Sequence, residues 1–308
     1  MILCNPTLLQ IVLLLAFVVL MYLLYKTITN SRSIDEGFQQ EDRFILKTNN
    51  DSYDNFYGEI YDTLMLPKDR VDYEIQNVIQ TTLSSKQHSI MLDVGSGTGN
   101  LITHLRKLGY TAYGIDKSQA MVDIAHSKLD KESTNVIKCA DVQEPMTYDR
   151  SLFTHIFCMN FTIYEMENKS VFFENCHYWL KNNGYLVLHL ADKDKFNTII
   201  PAGKPSLLKT TPQNRIKNTF IDFADFTYKS EYIPSVEDAK QMIHKETFTD
   251  KKTQNIRQNE RTLQMESMEE ILDMARRAGF IPKGEFTMEN GPTNSSDKYQ
   301  KIYILERI

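Results

Sequence analysis

Three acids and three glycines in the first half of the chain have the types and spacing to hold a nucleoside-bearing ligand. Gly95, Gly97 and Gly99 stand at every second position after Ile90-Met-Leu-Asp-Val94, a run with four apolar residues in five. Leu101, Ile102, Leu105 and Leu108 follow at helical spacing. The local reading is strand, glycine turn, helix, the place where nucleotide-type ligands bind in open α/β sheets. Glycines there take backbone angles closed to other residues and let a ligand touch the main chain. The spacing is G-x-G-x-G, not the G-x-G-x-x-G that admits a pyrophosphate. Asp93 precedes the first glycine by two residues. Its carboxylate would repel a pyrophosphate and suits a ligand with a cationic centre. Asp116 ends a second strand, Thr111-Ala-Tyr-Gly-Ile-Asp116. It lies about twenty residues beyond the first glycine, where an acid can accept both ribose hydroxyls of an adenosine. Asp141 ends a third strand, Asn135 to Val142.

Asp93-Val-Gly-Ser-Gly-Thr-Gly-Asn100 closely resembles motif I of the class I S-adenosylmethionine (SAM) methyltransferases, and Gly114-Ile-Asp-Lys-Ser118 resembles their second motif. The resemblance implies SAM as cofactor, held by Asp93, Gly95, Ser96, Gly97 and Gly99 at the turn and by Asp116 with Lys117. It implies that Asp141 binds the adenine amino group while the next backbone N–H, that of Val142, meets a ring nitrogen. Met159 and Asn160, at the end of the fourth strand, complete the set. Many small-molecule members carry a Tyr-Asp-rich helix ahead of motif I that closes over the cofactor. Here Tyr53, Tyr57 and Tyr61 are four apart and would share one helix face. The resemblance gives Tyr53 and Tyr57 the closing role; core packing of the rings is the alternative. The family's DNA and glutamine N-methyltransferases place (Asp/Asn)-Pro-Pro-Tyr after the fourth strand. This chain has Asn160-Phe-Thr-Ile-Tyr164, without the prolines, which counts against those substrates. The resemblance is specific over about 89–190, looser at 53–83 and 266–306, and absent between.

Strands alternate with helices from 89 to 190, which implies a parallel sheet with both faces covered. The expected fold is α/β: a Rossmann-like, doubly wound, mainly parallel seven-stranded sheet with an antiparallel insertion and an N-terminal transmembrane helix. The alternation stops at Ala191. Residues 193–262 hold 13 Lys or Arg against 9 Asp or Glu, a positive stretch in an acidic chain. Thr219–Tyr232, Ala239–Thr253 and, more weakly, Asn255–Met265 read as antiparallel strands. We expect residues 192–262 to form a lid over the sheet edge that contacts the acceptor, with cofactor binding independent of it. Ser267 with Glu270 reads as a capping box and Gly279 as a helix stop.

Leu8 to Tyr25 is apolar but for Gln10. Eighteen helical residues span roughly 27 Å, close to a bilayer core. Met1 to Thr7 lacks Lys and Arg and no A-x-A site follows, so an uncleaved anchor is expected rather than a signal peptide. Lys26 and Arg32 follow the span, which puts the larger C-terminal part on the cytosolic side of a single-pass topology. The expected organisation is anchor 8–25, juxtamembrane linker 26–50 and methyltransferase domain 51–308.

The net charge of −5 and pI of about 5.9 argue against a general nucleic-acid binder. Cys4, Cys139, Cys158 and Cys176 form no C-x-x-C pair and read as buried free thiols, so neither a disulfide framework nor a metal is expected. Methyl transfer from a sulfonium mainly needs proximity and a dry pocket, so no catalytic residue is singled out. Tyr164-Glu165, His189 and Asp192 are placed to face an acceptor, though His189 fits a core histidine better. The leading reading is a membrane-anchored methyltransferase for a small molecule or lipid. The alternatives are a protein or RNA methyltransferase, a catalytically silent SAM-binding module and, least favoured, a dehydrogenase.

Overall fold

The computed structural model describes residues 10, 13–24, 42–65, 68–129, 136–198, 200, 202–203, 218–291 and 297–308. The chain divides into two units, Met1–Arg43 and Phe44–Ile308. In the first, residues 13–24 are helical (α1) and their large apolar side chains are all exposed. Among the described residues no helix is long and apolar enough to cross a membrane. Residues 8, 9, 11, 12 and 25 of the expected span, and 26–41 of the expected linker, lie outside the described residues.

The second unit runs β1 (Phe44–Thr48), α2 (Asn55–Met65), α3 (Lys68–Thr82), β2 (Ile90–Val94), α4 (Asn100–Lys107), β3 (Thr111–Asp116), α5 (Gln119–Lys128) and β4 (Ile137–Cys139). It continues with β5 (Phe153–Cys158), α6 (Lys169–Trp179), β6 (Leu180–Ala191), β7 (Asn218–Asp222), β8 (Phe226–Pro234), β9 (Gln241–Asp250), β10 (Ile256–Gln264), α7 (Met268–Arg277), β11 (Phe280–Thr287) and β12 (Gln300–Arg307).

Seven strands form one sheet in the order β11-β12-β6-β5-β2-β3-β4. β6, β5, β2, β3 and β4 pair in parallel, and β12 and β11 add an antiparallel edge. Successive strand residues face opposite sides, which sorts the core into two layers. Leu92, Ile156, Leu186 and Leu188 pack with Phe172, Phe173 and Trp179 of α6 and Ile271 of α7. Met91, Phe157 and Val187 pack with Val71, Ile75 and Val78 of α3, Ile102 and Leu105 of α4 and Val122 of α5. Caps read from the sequence are formed: Ser118 Oγ accepts the Met121 N–H, and Ser267 and Glu270 make the full capping box. β2 lies between β3 and β5, so the chain's direction of travel reverses beside β2. The crevice of such a fold opens there, at the carboxyl ends of the strands.

The insertion supplies four strands of a second, five-stranded sheet, β1-β10-β9-β8-β7. The stretch read as one strand, Thr219–Tyr232, is the hairpin β7–β8. β1 comes from the stretch read as linker and pairs parallel with β10. Cys158 and Cys176 are buried free thiols as expected, but Cys139 is exposed, because β4 is the edge strand.

Candidate functional site

Gly95 and Gly97 take left-handed backbone angles, φ 65° and 51°. A side chain at Gly95 would put its Cβ 2.4 Å from Thr162 Cγ2, so only glycine admits this approach of the β5 loop. The turn is pinned by Asp116. Gly97 N–H donates to its Oδ2 and Ser118 N–H to its Oδ1, each at 2.8 Å. An ionised carboxylate offers about four acceptor positions. These bonds, with the Lys117 N–H also directed at the carboxylate, leave acceptor capacity for a ligand in the cleft that Asp116 lines. Burial pushes the Asp116 carboxyl up, against those N–H bonds.

The cleft has a volume of about 690 Å³. Of the residues expected from the sequence, Tyr53, Gly95, Gly97, Asp116, Lys117, Asp141, Val142 and Asn160 line it. Asp93, Ser96 and Met159 line a small adjoining recess, which Gly95, Gly97, Asn160 and Tyr61 share. In that recess Ser96 Oγ is buried without a hydrogen-bond partner. Burial, with Asp116 and Glu74 nearby, holds the Asp93 carboxyl well above its usual range. An unsatisfied hydroxyl and an uncompensated acid fit a polar, cationic ligand group. Gly99 lies outside both. Its φ is 73° and it packs against Ala125 and Ile137, so its role is to bring the turn onto α5. Asp141 pairs with Lys117 Nζ at 3.0 Å and accepts the Gln143 N–H at 2.9 Å. Burial raises its carboxyl, but these contacts outweigh that and hold it below the usual range.

Tyr57 is the clearest departure from expectation. Helix α2 begins at Asn55, so Tyr53 precedes it, yet the three rings pack in a row, with centroids 5.6 Å apart for Tyr53 and Tyr57 and 5.7 Å apart for Tyr57 and Tyr61. Tyr57 is fully buried, donating to Glu246 Oε1 at 3.0 Å and accepting from Arg261 Nη2 at 3.1 Å. Tyr61 is the second tyrosine at the cleft, with its ring closing on Gly97. Tyr164 is buried and hydrogen-bonded to the main chain of Ala191. His189 is buried between Arg70 and Gln300. Neither faces the cleft, and nor does Asp192, which binds Lys195 at 2.9 Å.

Glu165 does face it. Asn160 and Phe161 are both left-handed, φ 49° and 67°, which is uncommon for Asn and costly for a ring-bearing residue. The kink swings a short 3-10 turn, Thr162–Glu165, across the cleft. Glu165 presents its carboxylate to the opening and accepts the Tyr53 hydroxyl at 2.5 Å. Surrounding protein raises its carboxyl above the usual range, against the pull of Arg261 and of Tyr53. The cleft is also lined by Gln241, Arg261, Thr262 and Gln264 from the second sheet and by Asn49 and Asn50. Sequence reading missed these because no motif marks them. Among the described residues no group of three or more His, Cys, Asp or Glu is placed to hold a metal ion.

Residues 92–188 match the family model of a methyltransferase domain. A ubiquinone biosynthesis O-methyltransferase of Coxiella burnetii is 29% identical over 154 residues. That match takes in 49% of this chain and 62% of the relative, so less than two thirds of the relative's length is spanned. An S-adenosylmethionine-dependent methyltransferase from Clostridium acetobutylicum superposes with a TM-score of 0.61, at 17% identity, over 82% of this chain and 98% of that one. A SAM-bound amino pentose methyltransferase from Micromonospora echinaspora does so with a TM-score of 0.54, at 16% identity, over 82% and 96%. The chain thus carries a methyltransferase domain with the fold of the class I SAM-dependent enzymes. S-adenosylmethionine is the cofactor of such a domain, and the recess and the free acceptor capacity of Asp116 fit it.

Proposed function

We propose that this protein is a membrane-anchored SAM-dependent methyltransferase acting on a small-molecule or lipid acceptor. The observation that carries the reading is one cleft lined together by Gly95, Gly97, Asp116 and Asp141 and by Glu165, Arg261 and Gln241. At about 690 Å³ it falls in the range of small-ligand sites. Asp116, Asp141, Glu165 and Glu167 outnumber Lys117 and Arg261 in the lining, which disfavours a phosphate backbone and so an RNA acceptor.

The cofactor supplies a methyl group on a sulfonium with a good leaving group. The chain's own residues supply the rest. Asp116 and the glycine turn orient the nucleoside, Tyr53 and Tyr61 exclude water, and Glu165 is placed to take a proton from an acceptor O–H or N–H. Incubating the protein with methyl-labelled SAM and separate lipid, small-metabolite and protein extracts tests the reading. Label confined to the protein extract would overturn it.

The anchor part rests on the apolar run 8–25 and on the exposed apolar side chains of 13–24. A membrane tether raises local concentration near a membrane-held acceptor, and Lys26 and Arg32 favour a cytosolic domain. Removing residues 1–43 should release a folded protein that binds SAM, because the second unit starts at Phe44. Removing 1–50 should cost stability as well, since β1 then no longer pairs with β10. Thermal melts and SAM titration of both truncations check this; aggregation of the shorter truncation, or loss of its SAM binding, would sink the tether.

A further inference from the structure

The second sheet turns a polar face inward where packing against a helix ordinarily calls for apolar residues. Alternate residues of β9 and β10 are buried, and among them are His244, Glu246, Arg257, Asn259 and Arg261. Arg257 and Arg261, four apart on one face of β10, both reach the short segment Ser52–Tyr57. Arg257 holds Asp54 with two bonds, Nη1 to Oδ2 at 2.9 Å and Nη2 to Oδ1 at 3.0 Å. Arg261 donates to Ser52 Oγ at 3.3 Å and to the Tyr57 hydroxyl at 3.1 Å. It is held in turn by Glu246 at 2.5 Å, a fully buried carboxylate that also accepts the Tyr228 hydroxyl at 2.5 Å. Burial pushes Glu246 up, but Arg261, His244 and the hydroxyls of Tyr228 and Tyr57 together outweigh it and the carboxyl sits below its usual range.

Tyr53 lies between the two gripped points. The Arg261 guanidinium is 4.9 Å from its ring centroid. The Tyr53 carbonyl accepts Ser118 Oγ at 2.5 Å, and Ser118 N–H bonds to Asp116 at 2.8 Å. A continuous run of contacts therefore links the second sheet to the acid expected at the cofactor ribose.

We propose that Arg261, anchored by Glu246, is a positioning residue for the cofactor: it holds Tyr53 as a wall of the cofactor end, so the second sheet sets SAM affinity as well as enclosing the acceptor. The inference rests on the SAM reading above. It revises the expectation that the insertion serves the acceptor alone. A buried ion pair is a weak source of stability and is better suited to fixing geometry. Without the clasp, segment 52–57 would have to be ordered at the moment of binding, which costs affinity. Lysine keeps the charge but loses the planar fork that makes several directed bonds at once.

The test is calorimetric titration of the full chain with SAM, at a temperature where each variant shows the circular dichroism of the parent. Arg261→Lys is expected to raise the dissociation constant about tenfold, and Tyr53→Ala to do the same. The double variant should bind no more weakly than the weaker single one, because Arg261 acts through Tyr53. A purely structural arginine would lower the melting temperature without this non-additivity. The proposal is overturned if Arg261→Lys stays within about twofold of the parent, or if the two losses multiply in the double variant. Should Arg261→Lys not fold, Glu246→Gln replaces it with the same expectations. No SAM binding by the parent would overturn the functional reading instead.

Discussion

Replacing Glu165 by Gln is expected to lower kcat by about 10²–10⁴-fold while leaving the SAM dissociation constant nearly unchanged. The carboxylate faces the opening, is held by the Tyr53 hydroxyl and ends a turn that Ile163 and Tyr164 anchor in the core. Glutamine keeps the size and one acceptor oxygen, so Tyr53 stays in place while proton transfer is lost. The pH dependence has a definite sign. The basic form is the active one, and desolvation by the protein around the cleft raises the carboxyl above its usual range. Activity should therefore fall as pH drops through a limb lying above the ordinary glutamate value, and that limb should vanish in Glu165→Gln. The measurement is kcat against pH on the acceptor found by labelling. An unchanged kcat would mean that the acceptor loses its proton elsewhere, and Glu165 would have no chemical role.

The second large effect concerns Asp116. Asp116→Ala removes an acceptor that the resemblance assigns to both ribose hydroxyls, at about 1.5–3 kcal/mol for each charged hydrogen bond. It also frees the Gly97 N–H, which the carboxylate holds at 2.8 Å, so the turn loosens as the ligand contacts go. We expect SAM affinity to fall by at least tenfold per bond lost. Asp116→Asn should fall between, because its amide oxygen can still accept from one partner. Calorimetry on folded protein decides it; an unaltered dissociation constant for Asp116→Ala would remove Asp116 from the site.

The cofactor end of the site was legible in the chain because its signals are local. Asp93 through Gly99 is one turn, Asp116 ends the next strand, and the Ser118 and Ser267 caps involve residues three apart. Strand, turn and helix periodicity in that region follows from backbone sterics and the burial of one face, which neighbouring residues encode. The second sheet's share of the cleft was not legible, because it comes from segments that meet only on folding. β1 is five residues long and half exposed, and the strand that pairs with it lies some two hundred residues on. Glu246, Arg257 and Arg261 alternate with other residues as solvated strand residues do. They are buried because Ser52, Asp54 and Tyr57 arrive to satisfy them.

Tyr57 shows the same limit at one position. Spacing of four placed it with Tyr53 and Tyr61, and its ring does pack between theirs, but Glu246 and Arg261 draw its hydroxyl to the second sheet and out of the cleft. The sequence by itself thus determined a SAM-type turn and the parallel sheet that presents it. Tertiary structure alone decided which charged side chains of the second sheet are buried beside the cleft, because a buried charge is tolerated only where distant partners complete its hydrogen bonds.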